Sequence, residues 1–364
     1  MNTALCFNDV LCYDNRPKPI VKRDGKYFLR LLEKGAKKVQ LKFAEVLYDF
    51  YKIDGDEWEI ELPFCTAINY IQIVVDGNEN LEAILPITYG YSRPYNYIEL
   101  PEYEEDFFAL KNVPHGSVRR EYFFSHMTGE WESCMVYVPF EYDSDPDKVY
   151  PVLYLQHGHG ENEIGWSMAG KVNLIMDNLI SEGKAQPCVI VMNNGMVQKK
   201  EGDEHIVDHL LFEPMLMEDV IPFIEGRYHV GGCKARRGIA GLSMGSVQAS
   251  MIACNHGDMF SEVGIFSGFL HDWISASPLD MSCHKESDNA HLDAMNDADE
   301  FNSRFNTFFR AIGNEDPFLE HFENDDSLCR EKEINCTRKI YEGTHDWNVW
   351  RKCIYDFAQM IFAS

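Results

Sequence analysis

Between residues 22 and 87 the apolar positions come in short runs with a period of two. Glu57-Trp58-Glu59-Ile60-Glu61-Leu62 alternates strictly, and residues 27–32, 39–43 and 70–75 repeat the theme with β-branched and aromatic side chains. That period belongs to half-buried strands. Asp54-Gly55-Asp56 and Asp76-Gly77-Asn78 supply turns between them. Strands about every 10–15 residues, with no helical stretch, predict a small all-β immunoglobulin-like sandwich over residues 1–100. Residues 89–114 are rich in Tyr, Pro and acidic side chains without a period. They read as connecting chain, which sets a linker at 101–116.

From residue 117 the pattern changes. Residues 122–124 and 134–138 read as an antiparallel pair turning near Thr128-Gly129. Residues 152–155 and 188–192 are unbroken apolar runs, as in strands covered on both faces. Between them, Val172, Leu174-Ile175-Met176 and Leu179-Ile180 fall at helical spacing within residues 171–182. Further strands are predicted at 238–240, 263–266, 308–312 and 337–341, and a closing amphipathic helix at 347–362. Strands alternating with helices define an α/β domain over residues 117–364, with a doubly wound, mostly parallel sheet. Residues 279–302 break this rhythm with a polar, acidic stretch, either a solvated insertion or a lid over a pocket.

Composition narrows the function. With 45% hydrophobic and 25% charged residues the chain is globular. Its 33 basic and 59 acidic side chains give a net charge of −26, which repels nucleic acid and anionic lipid and favours a neutral or cationic ligand. No run reaches the ~18 apolar residues of a membrane span. Residues 1–20 carry Asp9, Asp14, Arg16 and Lys18 where a signal peptide would be apolar. The 11 cysteines include no C-x-x-C pair. Both features lead us to expect a reduced, cytoplasmic setting.

The strongest chemical signal is Gly241-Leu242-Ser243-Met244-Gly245, lying between an apolar strand and the helical stretch 247–254. A tight strand-to-helix turn with small flanking residues lifts a serine hydroxyl above the sheet edge, at a helix N-terminus. Ser243 is therefore the candidate nucleophile, and it needs a base. Of the later histidines, His345 lies directly after the last predicted strand, where the base belongs in the order serine, acid, histidine. The acid is expected after the strand at 308–312, where Asp316 is favoured over Glu315 because its loop is long enough to turn back. An oxyanion hole needs two backbone N–H groups. Met244 supplies one, and the loop Gln156-His157-Gly158-His159-Gly160 the other, from His159 or, as second choice, Gly158. His157 and His159 lack carboxylate or cysteine partners at metal-ligand spacing. His205 and His209 are four apart, as on one helical face. No metal or cofactor is assigned.

These segments, together with Val113-Pro114-His115-Gly116-Ser117-Val118, residues 150–158, Glu163-Ile164-Gly165-Trp166 and His345-Asp346-Trp347, resemble the feruloyl and acetyl-xylan esterases of carbohydrate esterase family 1, related to esterase D. The likeness runs from about residue 113 to the end, with the N-terminal part similar to early-set or starch-binding-like modules. It implies an α/β-hydrolase whose triad is Ser243, Asp316 and His345, with oxyanion donors at Met244 and after His157-Gly158. It also implies acyl transfer to water from feruloylated or acetylated xylan-derived oligosaccharides. Ser246 and Gln156 depart from the family pattern. Gly158, Trp166 and Trp347 are expected to line the substrate, while Trp58 and Tyr70 read as core. The N-terminal domain is expected to be a scaffold that could pair two protomers. Transfer of the acyl group to a sugar, or glycan binding without catalysis, are the alternatives.

Overall fold

A computed structural model of the chain describes residues 19–100, 105–145, 147–270 and 289–363. It divides into two compact units, residues 1–110 and 111–364. Among the described residues no helix is long and apolar enough to cross a membrane.

The first unit is a β-sandwich. One antiparallel sheet orders Ile20–Arg23, Lys26–Leu32, Glu57–Glu61 and Tyr51–Asp54; the other orders Val46–Asp49, Val39–Phe43, Ile68–Val75, Arg93–Glu99 and Ile87–Gly90, with Asn78–Asn80 beside Ile68–Val75. Alternate residues Leu29, Leu31, Trp58, Ile60, Ile71 and Ile73 form the core between them. Trp58 is thus core, as read, whereas Tyr70 lies half-buried in a ring cluster with Tyr91 and Tyr95. The reading of residues 89–114 as connecting chain is corrected for 89–99, which form most of a hairpin paired into the sheet. Its turn places Tyr91 and Ser92 at φ of 52° and 59°. That mirror-type turn matches strand twist but is usually marked by Asn or Gly, and Pro94 further hid the strand.

The second unit is built on one eight-stranded sheet. In chain order its strands are β1 (Ser117–Phe124), β2 (Trp131–Val138), β3 (Val152–Gln156), β4 (Val189–Asn193), β5 (Arg237–Leu242), β6 (Glu262–Phe266), β7 (Thr307–Gly313) and β8 (Thr337–Tyr341). Their spatial order is β1-β2-β4-β3-β5-β6-β7-β8. β1 and β2 are antiparallel, and β3 to β8 run parallel. Every residue of β3, β4, β6 and β7 is buried, which is why residues 152–155 and 188–192 read as continuous apolar runs. One face is covered by α1 (Val172–Ser181) and α4 (Trp347–Ala358), where Phe357 packs on Phe266 and Phe309. On the other face α2 (Met244–Asn255) sinks Ala249, Ile252 and Ala253 into a cluster with Tyr154, Ile239 and Ile265. A further helix, α3 (Leu319–Glu331), follows β7.

The doubly wound architecture is as expected. One local reading is not. His205 lies on a surface strand, Glu204–Val207, paired with Gln198–Glu201, and His209 opens a 3₁₀ turn, so the two share no helical face. Of the polar stretch at 279–302, residues 279–288 lie outside the described residues. Residues 290–304 form a 3₁₀ turn and a short helix, with Met295 and Phe301 buried in the core.

Candidate active site

β5 ends in a turn that only this sequence pattern tolerates. Ser243 takes φ 51° and ψ −119°, a strained conformation for a residue with a side chain. It is held by its N–H bond to Phe266 O (2.9 Å). A Cβ on Gly241 would lie 2.2 Å from Gly245 O, and one on Gly245 would lie 2.5 Å from His157 O. The two glycines let the strand, the turn and the loop after β3 meet in backbone contact. Ser246, the departure from the family pattern, is fully buried and gives its hydroxyl proton to Ser243 O at 2.6 Å. It therefore fastens the turn rather than loosening it.

The loops after β7 and β8 converge on the serine. His345 Nε2 lies 2.9 Å from Ser243 Oγ, and its Nδ1 lies 2.8 Å from Asp316 Oδ2. An ionised carboxylate only accepts, so Nδ1 carries the proton and donates to Asp316. Nε2 is left to accept from the serine hydroxyl. The Asp316 side chain is fully buried, and its Oδ1 accepts from Phe318 N–H at 2.9 Å. Glu315, the other carboxylate considered, is exposed. The two loops are stitched together by Asn314 N–H to Tyr341 O, Glu315 N–H to Gly343 O, and Gly343 N–H to Asn314 Oδ1. Phe318 and Trp350 meet the imidazole edge to face, each with centroids at 5.1 Å. Neither ring was foreseen, because their positions follow from loop paths and not from spacing. An imidazole fixed between an alcohol and a carboxylate can take up the alcohol's proton and hold the resulting positive charge.

Met244 opens α2, so its N–H has no acceptor within the helix. Gly158 lies against the serine, since a Cβ there would sit 3.3 Å from Ser243 Cβ. His159, next in the chain, is exposed at the rim, with its ring 6.1 Å from that of His209. His157 has a role the sequence did not disclose. Its Nδ1–H donates to Gly158 O at 2.8 Å and its Nε2 accepts from Gly195 N–H at 2.9 Å, bolting the loop after β3 to the loop after β4. Burial holds its pKa below the usual histidine value.

Trp166 and Trp347 are corrected. Their exposures are 1% and 3%, and their rings stack edge to face at 5.1 Å. Trp166 Nε1–H donates to Gln156 O (2.8 Å) and Trp347 Nε1–H to Glu161 Oε1 (3.0 Å). They support the loop from below and present no face to a ligand, because indole N–H groups satisfied inside the loop leave the rings as packing. A cavity of about 450 Å³ lined by Phe305, Asn306 and Thr337 lies at the opposite edge of the strands and contains none of these residues.

The sheet order and the serine turn define the class, an α/β-hydrolase. Residues 125–359 match the Esterase family model, more than half of the chain, and the chain belongs to that family. It is 35% identical over 213 residues to the endo-1,4-beta-xylanase/feruloyl esterase of Xylanibacter ruminicola, which covers 57% of this chain but only 29% of that protein. The chain thus spans less than a third of that curated relative. A solved ferulic acid esterase is 26% identical, with a TM-score of 0.58, covering 68% of this chain and 98% of its own. The enterobactin esterase of Shigella flexneri shares the fold across 93% of this chain and 94% of its own, with a TM-score of 0.65 at 12% identity. The chain thus has the family and the fold of esterases.

Proposed function

We propose that this esterase removes acyl groups, feruloyl or acetyl, from xylan-derived oligosaccharides through an acyl-enzyme on Ser243. The observation that carries the reading is the unbroken row from Ser243 Oγ through His345 to buried Asp316, at 2.9 and 2.8 Å. His345 Nε2 takes the serine proton as Oγ bonds to the ester carbonyl carbon. The carbonyl oxygen, now negative, is held by the N–H groups of Met244 and His159. Collapse breaks the bond to the sugar oxygen, which leaves with the proton from His345. Water then repeats the sequence and releases the acid. Asp316 keeps the imidazole in the required tautomer throughout. The substrate class is supported by the name of the curated relative and by a net charge of −26, which disfavours polyanions.

The test compares wild type with Ser243→Ala on methyl ferulate, acetylated xylo-oligosaccharide and a simple aryl acetate. The variant is expected to lose about 10³-fold or more in kcat with its fold intact. Retained turnover would remove Ser243 from the mechanism. Wild-type activity confined to the aryl acetate would overturn the carbohydrate assignment.

A further inference from the structure

The outermost hairpin of the hydrolase sheet carries an aromatic face that the fold does not use. β1 and β2 pair Phe124 with Trp131 and Tyr122 with Ser133, so these side chains share one side, with Arg120 and Met135 one rung further on. The opposite side is core, with Phe123 on Phe223 and Cys134 and Val136 fully buried. Lower rungs of the aromatic side are covered, since Tyr137 gives its hydroxyl proton to Asp177 of α1 at 2.7 Å. The upper rungs are open. Trp131 is 72% exposed, Tyr122 60% and Phe124 45%, and the Phe124 and Trp131 rings stand edge to face at 6.0 Å. β1 is also a sheet edge, where charges normally guard against pairing with other chains. A cluster of rings there marks a binding surface.

The sheet register places this surface relative to the nucleophile. Val136 of β2 is level with Val191, Val191 with Tyr154, and Tyr154 with Ile239 of β5. Four residues further toward the carboxyl edge is Ser243 after β5, and, on antiparallel β2, Glu132. Trp131 and Phe124 therefore stand within one residue of the height of Ser243. They are three and four strand spacings away, roughly 14–19 Å. The loop after β3 bridges the gap. Its Glu163 accepts from Ser133 Oγ at 2.9 Å and lies 3.6 Å from Arg120 Nη2. Through this one loop the aromatic face and the candidate oxyanion donor His159 are joined.

We propose that Trp131, Phe124 and Tyr122 form a stacking subsite for the sugar chain of the acylated substrate, with a neutral oligosaccharide as the occupant; the subsite rests on the reading of the enzyme as an acyl-carbohydrate esterase. Pyranose rings offer apolar C–H faces that flat aromatic rings desolvate, and hydroxyl rims that Arg120 and Ser133 can bond. The acidic surface turns away polyanions and anionic lipid. Height and distance fit a chain whose acylated residue reaches Ser243 while residues several units along it lie on the hairpin.

Trp131→Ala and Tyr122→Ala, singly and together, test this, since both side chains are exposed and their loss leaves the core unchanged. With feruloylated xylo-oligosaccharides, KM is expected to rise about tenfold at unchanged kcat, while methyl ferulate kinetics stay at wild-type values. In the Ser243→Ala protein, binding of unacylated xylohexaose followed by calorimetry is expected to disappear when Trp131→Ala is added. Equal effects on both esters, no effect on either, or no xylohexaose binding at all overturns the subsite. So does a Trp131→Ala variant that alters only the molar mass in sedimentation, which would make the face a contact between copies. If wild type cleaves none of these esters, the proposed function fails, while the xylohexaose arm still reports on the hairpin.

Discussion

Gly245→Ala measures how much of the catalytic geometry depends on backbone contact at the serine turn. The added Cβ would lie 2.5 Å from His157 O, 2.7 Å from Gln156 Cβ and 2.9 Å from Gln156 C. Ordinary contact begins at 3.4 Å, so the closest pair must separate by about 0.9 Å, and overpacking of this kind costs roughly 1–3 kcal/mol. Its obstacle is backbone, which cannot rotate away as a side-chain tip does. The displaced atoms also immediately precede Gly158 and His159, so the shift lands on the candidate oxyanion donor. A misplacement near 1 Å costs about 10²-fold in rate, so kcat/KM on methyl ferulate should fall by about that factor, with a Tm lower by several degrees. Gly226→Ala is the control. That glycine is exposed in the helix Ile221–Arg227 and its Cβ would meet nothing within 4 Å. It should stabilise the protein by about 0.5–1 kcal/mol with no change in rate. A Gly245→Ala enzyme with wild-type kcat/KM and Tm refutes the reasoning.

Two further predictions concern titratable groups. Asp316→Asn should lower kcat by about 10²–10⁴-fold, because an amide can hold the wrong imidazole tautomer, whereas exposed Glu315→Gln should leave it within twofold or so; equal losses in steady-state assays would contradict the assignment of the acid. His157 is buried, and desolvation holds its pKa below the ordinary histidine value of 6.5, so the unfolded chain binds its proton first as pH falls. Its contribution to stability is complete above about pH 6.5 and declines below it. Thermal melts from pH 8 to 5 should therefore fall more steeply for wild type than for His157→Gln, and parallel curves would show that this imidazole does not titrate on unfolding.

The parallel strands were legible because burial on both faces favours unbroken apolar runs, as at 152–155 in β3 and 189–192 in β4. The serine turn was legible for a stricter reason. Gly241 and Gly245 are imposed by backbone contacts of 2.2 and 2.5 Å for any Cβ, so the pattern in the sequence is the shape itself. Asp316 and His345 followed from their positions after successive strands. Side-chain direction was not legible. Trp166 and Trp347 lie where loops approach the site, yet their N–H groups turn inward to Gln156 and Glu161, and nothing in local sequence distinguishes a ring below a loop from one above it. The bracing role of His157 was not legible for a similar reason, since its partners Gly158 and Gly195 are backbone groups with no signature. The hairpin ending at Glu99 was hidden by Pro94 and by a turn whose central residues are Tyr91 and Ser92, and His205 and His209 by a spacing that a strand and a 3₁₀ turn happened to share.

The bonds from Asn314, Glu315 and Gly343 that tie the loop after β7 to the loop after β8 make the acid and the base a single cassette. Thermal motion or an inserted segment can shift that cassette against the serine, but cannot readily pull its two members apart. The 2.9 Å bond between His345 and Ser243 joins this cassette to the serine turn. An engineer reshaping the loops around the site would have that join to preserve.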